Sequence, residues 1–171
     1  MQVFEAIEKR ASIRDYQETA VPDDKLNRVL EAARLAPTGG NRQEVKFVVV
    51  RNKELRAKLA EATGNQKHVG QAPVLIAAVS TGPERMMLCG VPAYPVDAAI
   101  AVDHITLAAV EEGLGTCWIG AFRQEMVRSA LGIPDKYMVA ALLTLGYPRG
   151  GGNPKTRKPL NERVCFDKFK E

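Results

Sequence analysis

Histidine, cysteine and aromatic residues are scarce in this sequence, and long apolar runs are absent. His68 and His104 are the only histidines, and Cys89, Cys117 and Cys165 the only cysteines, among 171 residues. The cysteines are odd in number and widely spaced, with no CxxC pair and no zinc pattern, so a disulfide framework is not expected. Two isolated histidines without clustered ligands supply too few donors for a metal site, and none is expected. The runs Val74–Val79 and Met138–Thr144 fall far short of the ~20 residues of a membrane span. No basic segment, apolar core and cleavage site open the chain, so no secretory signal is expected and a reduced, cytoplasmic protein is the natural reading. GxSxG, Walker A and triad-like groupings are missing as well.

What is present is enough for a core. Apolar residues make up 46 % and charged residues 26 %, which excludes a disordered chain. The length suits one domain, and no linker or internal repeat divides it. The formal charge is +4, from 24 basic and 20 acidic side chains. All of that excess lies beyond Pro148, where Arg149, Lys155, Arg157, Lys158, Arg163, Lys168 and Lys170 face only Glu162, Asp167 and Glu171. A nucleic-acid arm would need interleaved aromatics for stacking, and the body of the chain is neutral. The tail ends in Val164, Cys165, Phe166 and Phe169, apolar residues that need a folded surface to bind.

Helix and strand alternate without the rhythm of a doubly wound sheet. Val3, Phe4 and Ile7 predict a short opening helix ending near Arg10. Pro22 before Asp23 and Asp24 marks a helix start, followed by Leu26, Val29, Leu30 and Ala33 at helical spacing. Ala36–Asn41 is a breaker cluster. Val45–Val50 reads as a strand, and Asn52 caps a helix running to about Ala62. Pro73–Ser80 is a continuous apolar strand, buried on both faces. Residues 80–95 read as loop and turns. The longest helix, about Val96–Glu112, is apolar on nearly every side, which predicts burial against a partner subunit as well as its own sheet. Thr116–Phe122 and Tyr137–Leu145 complete the strands, with a helix near Gln124–Leu131.

Four segments can carry chemistry. Arg10, Ser12 and Arg14, if extended, share one side at period two and offer two guanidinium forks and a hydroxyl to a phosphate. Taken alone, they read more simply as surface arginines at a helix end. Asn41 and Gln43 beyond the Pro37–Gly40 loop can read the edge of a heterocycle or merely cap a turn. Gly113-Leu114-Gly115-Thr116-Cys117-Trp118-Ile119-Gly120 is no dinucleotide fingerprint: its glycines close a helix and lead into a strand. His104 reads as a satisfied core or interface histidine, whereas His68 lies in a polar loop before a strand.

Together these segments resemble the nitroreductase family of FMN-dependent oxidoreductases. Arg10-x-Ser12-x-Arg14 is similar to its opening phosphate motif, and Pro37-Thr38-Gly39-Gly40-Asn41-x-Gln43 to its loop ending in Asn-x-Gln. Residues 113–120 resemble its central flavin motif, and Arg157-Lys158-Pro159-Leu160 its basic C-terminal contact. The resemblance implies an α+β fold, a mixed central sheet flanked by helices, in an intertwined homodimer with FMN at the interface. Residues 1–171 would form one domain, with 149–171 wrapping on the partner.

By position, the family likeness has Arg10, Ala11, Ser12, Arg157 and Lys158 hold the FMN phosphate or ribityl chain, with Arg14 toward the pyrimidine end. Pro37, Thr38, Gly39 and Asn41 would reach the flavin of the other subunit. Trp118 and Ile119 would pack on the ring, the Gly120 N–H would point at N5, and His68 would lie near N1 and O2. The implied activity is hydride transfer from NAD(P)H through flavin N5 to a small acceptor such as a nitroaromatic or quinone, with no side chain acting as nucleophile. An FMN carrier or sensor without turnover is the alternative. Glu44 and Val45 stand where the family often has Pro-Trp, and the 80–95 loop would have to roof the pocket in place of the helices of larger members.

Overall fold

The computed structural model describes residues 1–153 and 155–171. Four strands form one sheet: β1 (Val45–Val50), β2 (Val74–Ser80), β3 (Gly115–Ile119) and β4 (Met138–Gly146), in the order β1-β2-β4-β3. Six helices pack around it: α1 (Val3–Lys9), α2 (Asp23–Arg34), α3 (Lys53–Ala62), α4 (Lys67–Gln71), α5 (Ala93–Glu111) and α6 (Gln124–Leu131).

Every strand pair is antiparallel, which corrects the expected mixed sheet. The reason lies in the connections. α3 and α4 return the chain to the end at which β1 finished, so Val50 pairs with Leu75. Among the described residues the one parallel contact is an isolated bridge between Ser12 and Thr116, where the segment after α1 runs beside edge strand β3.

The apolar continuity of β2 comes from helices on both faces. Leu75, Ala77 and Val79 join Leu59, Val69, Val127 and Leu142 in a core under α3, α4 and α6. Val74, Ile76 and Ala78 alternate to the opposite core with Val29, Ala98, Val102, Ile105 and Leu143, under α2 and α5. Side chains along a strand alternate between faces, so a strand covered twice is apolar at every position.

Local signals account for most boundaries. Asn52 Oδ1 accepts the Leu55 N–H at 3.0 Å and caps α3. Gly113, at φ +73°, ends α5 in the left-handed conformation that glycine adopts without steric cost. Gly115 is different: it opens β3, and a Cβ there would lie 2.5 Å from Ile13 Cγ1. It allows the segment after α1 to lie against the sheet.

Three boundaries moved. β3 stops at Ile119 rather than Phe122, and α5 begins at Ala93, with Pro95 in its first turn. His68 lies on the short helix α4 rather than in a loop, and it is buried. α5 is long and apolar enough, by length and composition, to cross a membrane, but Ala98, Ala101, Val102, Ile105 and Ala109 pack it into the core. His104 is half-buried on the same helix, its Nδ1 3.3 Å from the Ala32 carbonyl.

Candidate cofactor site

After α1 the chain turns extended, and the Ile13 N–H donates to the Thr116 carbonyl at 2.8 Å. Ile13 is thereby buried in the core, and Arg10, Ser12 and Arg14 are left to face the other way. The tail comes back to the same place. Gly152 packs so closely on this segment that a Cβ would lie 2.5 Å from Ala11 Cβ. Arg10, Ala11, Ser12 and Arg14 then stand opposite Asn153, Lys155, Thr156 and Arg157 around a cavity of about 180 Å³.

The cavity is strongly cationic. Among the described residues, no carboxylate forms an ion pair with Arg10, Arg14 or Arg157. Lys155 Nζ donates to the Ile7 carbonyl at 2.8 Å and to the Glu8 carbonyl, at the C-terminal end of α1. Partial desolvation, with the charges of Arg10 and Arg157 beside it, holds its amine below the ordinary value. Cations crowded this way favour an anion between them, and guanidinium forks with a serine hydroxyl suit phosphate oxygens.

Lys158 does not line the cavity; its Nζ lies 4.0 Å from Glu162 on the following turn. Lys155 does line it. Arg149 is also held, its Nη2 donating to the Tyr16 carbonyl at 3.3 Å and its Nε 3.6 Å from Asp15.

Trp118 and Ile119 part company on β3. Ile119 faces the α3 and α6 core and is buried, so its side chain is not available to pack on a ring, which corrects that expectation. Alternation turns Trp118 to the other face. There it pairs with Leu143, is 42 % exposed, and lies beside exposed Gly120. His68 is buried, and among the described residues its Nε2 has no hydrogen-bond partner. Burial, then the nearby charge of Arg14, holds its pKa below the ordinary value, so the imidazole is neutral at pH 7.

The loop before β1 is elsewhere. Thr38 Oγ1 accepts the Gln43 N–H at 3.0 Å, and Asp97 Oδ1 accepts the Gly39 N–H at 2.9 Å. Pro37, Thr38, Gly39 and Asn41 line no part of the cationic cavity. Val45 pairs with Ser80, which pairs with Met138, while Thr116 pairs with Leu145 at the far end of β4. The loop and the cavity therefore adjoin diagonally opposite corners of the sheet, roughly 28 Å apart for seven residues along the strands and three strand spacings across. Within one chain they cannot share a small ligand.

The nitroreductase family pattern matches residues 7–67 and 61–147. The chain belongs to the nitroreductase family. A putative NADH dehydrogenase/NAD(P)H nitroreductase of Methanothermobacter thermautotrophicus is 36 % identical, covering 99 % of this chain and 88 % of that protein. An FMN reductase [NAD(P)H] of Bacillus subtilis is 29 % identical, over 92 % of this chain and 70 % of its own. The crystal structure of a nitroreductase family protein from Clostridium difficile superposes with a TM-score of 0.89 at 32 % identity, covering 99 % of this chain and all of that one.

This nitroreductase-family chain is an NAD(P)H-dependent flavin oxidoreductase. Its own residues suit the family's FMN: a cationic cradle for a phosphate monoester, and a buried imidazole nitrogen that has no partner among the described residues.

Proposed function

We propose that this nitroreductase-family protein binds FMN between two copies of the chain and passes reducing equivalents from NAD(P)H to a small planar acceptor, a nitroaromatic or a quinone. The observation that carries the reading is the cavity built from both ends of the chain, where Arg10, Ser12, Lys155 and Arg157 converge without a carboxylate partner. Arg10 and Arg157 would fork to the phosphate oxygens, with Ser12 and Thr156 hydroxyls directing the group. Bound FMN supplies the hydride chemistry, and the protein supplies binding, orientation and electrostatics. Arg14 places positive charge beside His68, and that charge stabilises electron density gathered at the pyrimidine end of a reduced ring. Exposed Trp118 offers the flat apolar surface that a ring needs, and the adjacent Gly120 N–H offers a donor.

Two copies are required because the Pro37–Asn41 loop and the cradle lie at opposite corners of one sheet. Unburied apolar side chains support the same arrangement. Phe4 on α1 is 78 % exposed, and Leu160, Phe166 and Phe169 in the tail exceed 75 %. An open groove of about 430 Å³ between α1 and α5, lined by Val3, Ala6, Leu35, His104 and Leu107, is apolar as well. A second copy would cover these surfaces, with residues 149–171 wrapping on it, in a single-domain cytoplasmic dimer.

The purified chain should show flavin absorption, release FMN on denaturation, and run as a dimer. Colourless protein that takes up no added FMN refutes the reading. Anaerobic assay with NADH and NADPH against nitroaromatic and quinone panels then identifies donor and acceptor.

A further inference from the structure

The segment Thr38–Gln43 is held in an unusual shape. Gly40, Asn41 and Gln43 have φ of +63°, +53° and +58°, the left-handed region that side chains other than glycine rarely enter. Such conformations persist only where the surroundings over-determine them, and they gather at binding sites. The loop's own bonds, Gln43 N–H to Thr38 Oγ1 and Asn41 N–H to the Thr38 carbonyl, do part of this. Among the described residues, one side chain from another element bonds to the segment: Asp97, through its 2.9 Å bond from the Gly39 N–H.

Asp97 lies near the start of α5, and its carboxylate is only 5 % exposed. A buried carboxylate is tolerated only when paired. Arg85 Nη2 donates to its second oxygen at 2.8 Å, and Arg85 Nε donates to Glu44 Oε2 at 2.7 Å. The packing around these charges is close, since a Cβ on Gly39 would lie 3.2 Å from Arg85 Nη1 and one on Gly82 2.7 Å from the Glu44 carboxyl carbon. Glu44 and Asp97 thus grip one guanidinium from two sides, and Asp97 keeps an oxygen for the loop.

We propose that Asp97 is a positioning residue of the cofactor site: backed by Arg85 and Glu44, it holds the strained Thr38–Gln43 loop in the shape that meets the flavin. This rests on the FMN reading above.

Trypsin acting on the whole 171-residue chain tests the clamp without any cofactor. Arg42 is exposed within the loop, and exposed Arg163 in the tail is the internal reference. Asp97→Ala should raise cleavage at Arg42 relative to Arg163, and should weaken FMN binding by about tenfold or more, the scale of one charge-assisted hydrogen bond. Asp97→Asn, whose Oδ1 can still accept the Gly39 N–H but whose amide nitrogen turns a donor toward Arg85, should fall between Asp97→Ala and wild type in both readouts. If Asp97→Ala does not fold, Asp97→Leu keeps the volume without the acceptor and replaces it. Unchanged Arg42 cleavage, an asparagine as damaging as alanine, or faster cleavage with unaltered FMN affinity each overturns the proposal. Should wild type bind no FMN, the FMN reading fails, while the Arg42 ratio still reports whether the clamp exists.

Discussion

Replacing Gly152 by alanine should open the cationic cradle without touching any of its charged groups. The new Cβ would lie 2.5 Å from Ala11 Cβ and 3.3 Å from the Ser12 carbonyl oxygen, whereas carbon atoms pack at about 3.5–4.0 Å. The tail must therefore retreat by about 1–1.5 Å, because Ala11 is fixed by its neighbour Ile13 in the core. Lys155, Thr156 and Arg157 would retreat with it. Hydrogen bonds weaken steeply over such a distance, and a charge-assisted bond contributes about 1.5–3 kcal/mol. Discounting for the exposure of Arg157, the loss should be about 1.4 kcal/mol, or tenfold in FMN affinity. Gly151 is the matched control, since a Cβ there meets nothing within 4 Å. FMN titrations of the two alanine variants, with thermal melts to establish that both fold, provide the comparison. Equal affinities for Gly151→Ala and Gly152→Ala would refute the cradle.

Arg10→Ala should weaken FMN binding more than Arg51→Ala, because Arg51 is paired with Asp23 at 2.6 Å on another surface; equal effects in the same titration would misplace the phosphate. Tyr16→Phe should cost about 1–3 kcal/mol in a denaturant melt, since the buried phenol donates to the Ile13 carbonyl at 2.8 Å and shares a 2.6 Å bond with Thr144. Stability should also fall as pH drops below about 6.5. His68 has a lowered folded pKa, so the unfolded chain binds its proton first and folding loses ground with acid. His68→Gln should flatten that slope above the carboxylate range, and an identical Tm-against-pH profile would show that His68 is not its source.

Much of the site could be read in one dimension because its parts are local. Extended backbone after α1 puts Arg10, Ser12 and Arg14 on one side by period two alone, and the β1, α3, α6 and β4 boundaries follow from caps, breakers and apolar spacing. Ile119 could have been separated from Trp118 by the same alternation, since adjacent strand residues face opposite ways. Asp97 shows no such signal. One acid among three in a largely apolar helix has no distinct meaning until Gly39 and Arg85 are brought to it by the packing of α5.

The sequence by itself determined most of the helices and strands, though not α4, together with the family resemblance and the concentration of excess positive charge beyond Pro148. Only the tertiary structure decided where that charge goes. Lys155 meets α1 carbonyls 147 and 148 residues away, while Lys158, three positions along, turns to its neighbour Glu162. Strand pairing likewise made the sheet antiparallel and sent the cradle and the Pro37–Asn41 loop to opposite corners. The physical reason is range: propensity, capping and alternation act over a few residues, whereas pairing, close approach at Gly115 and Gly152, and the partnering of buried charge depend on segments that meet only when the chain has folded.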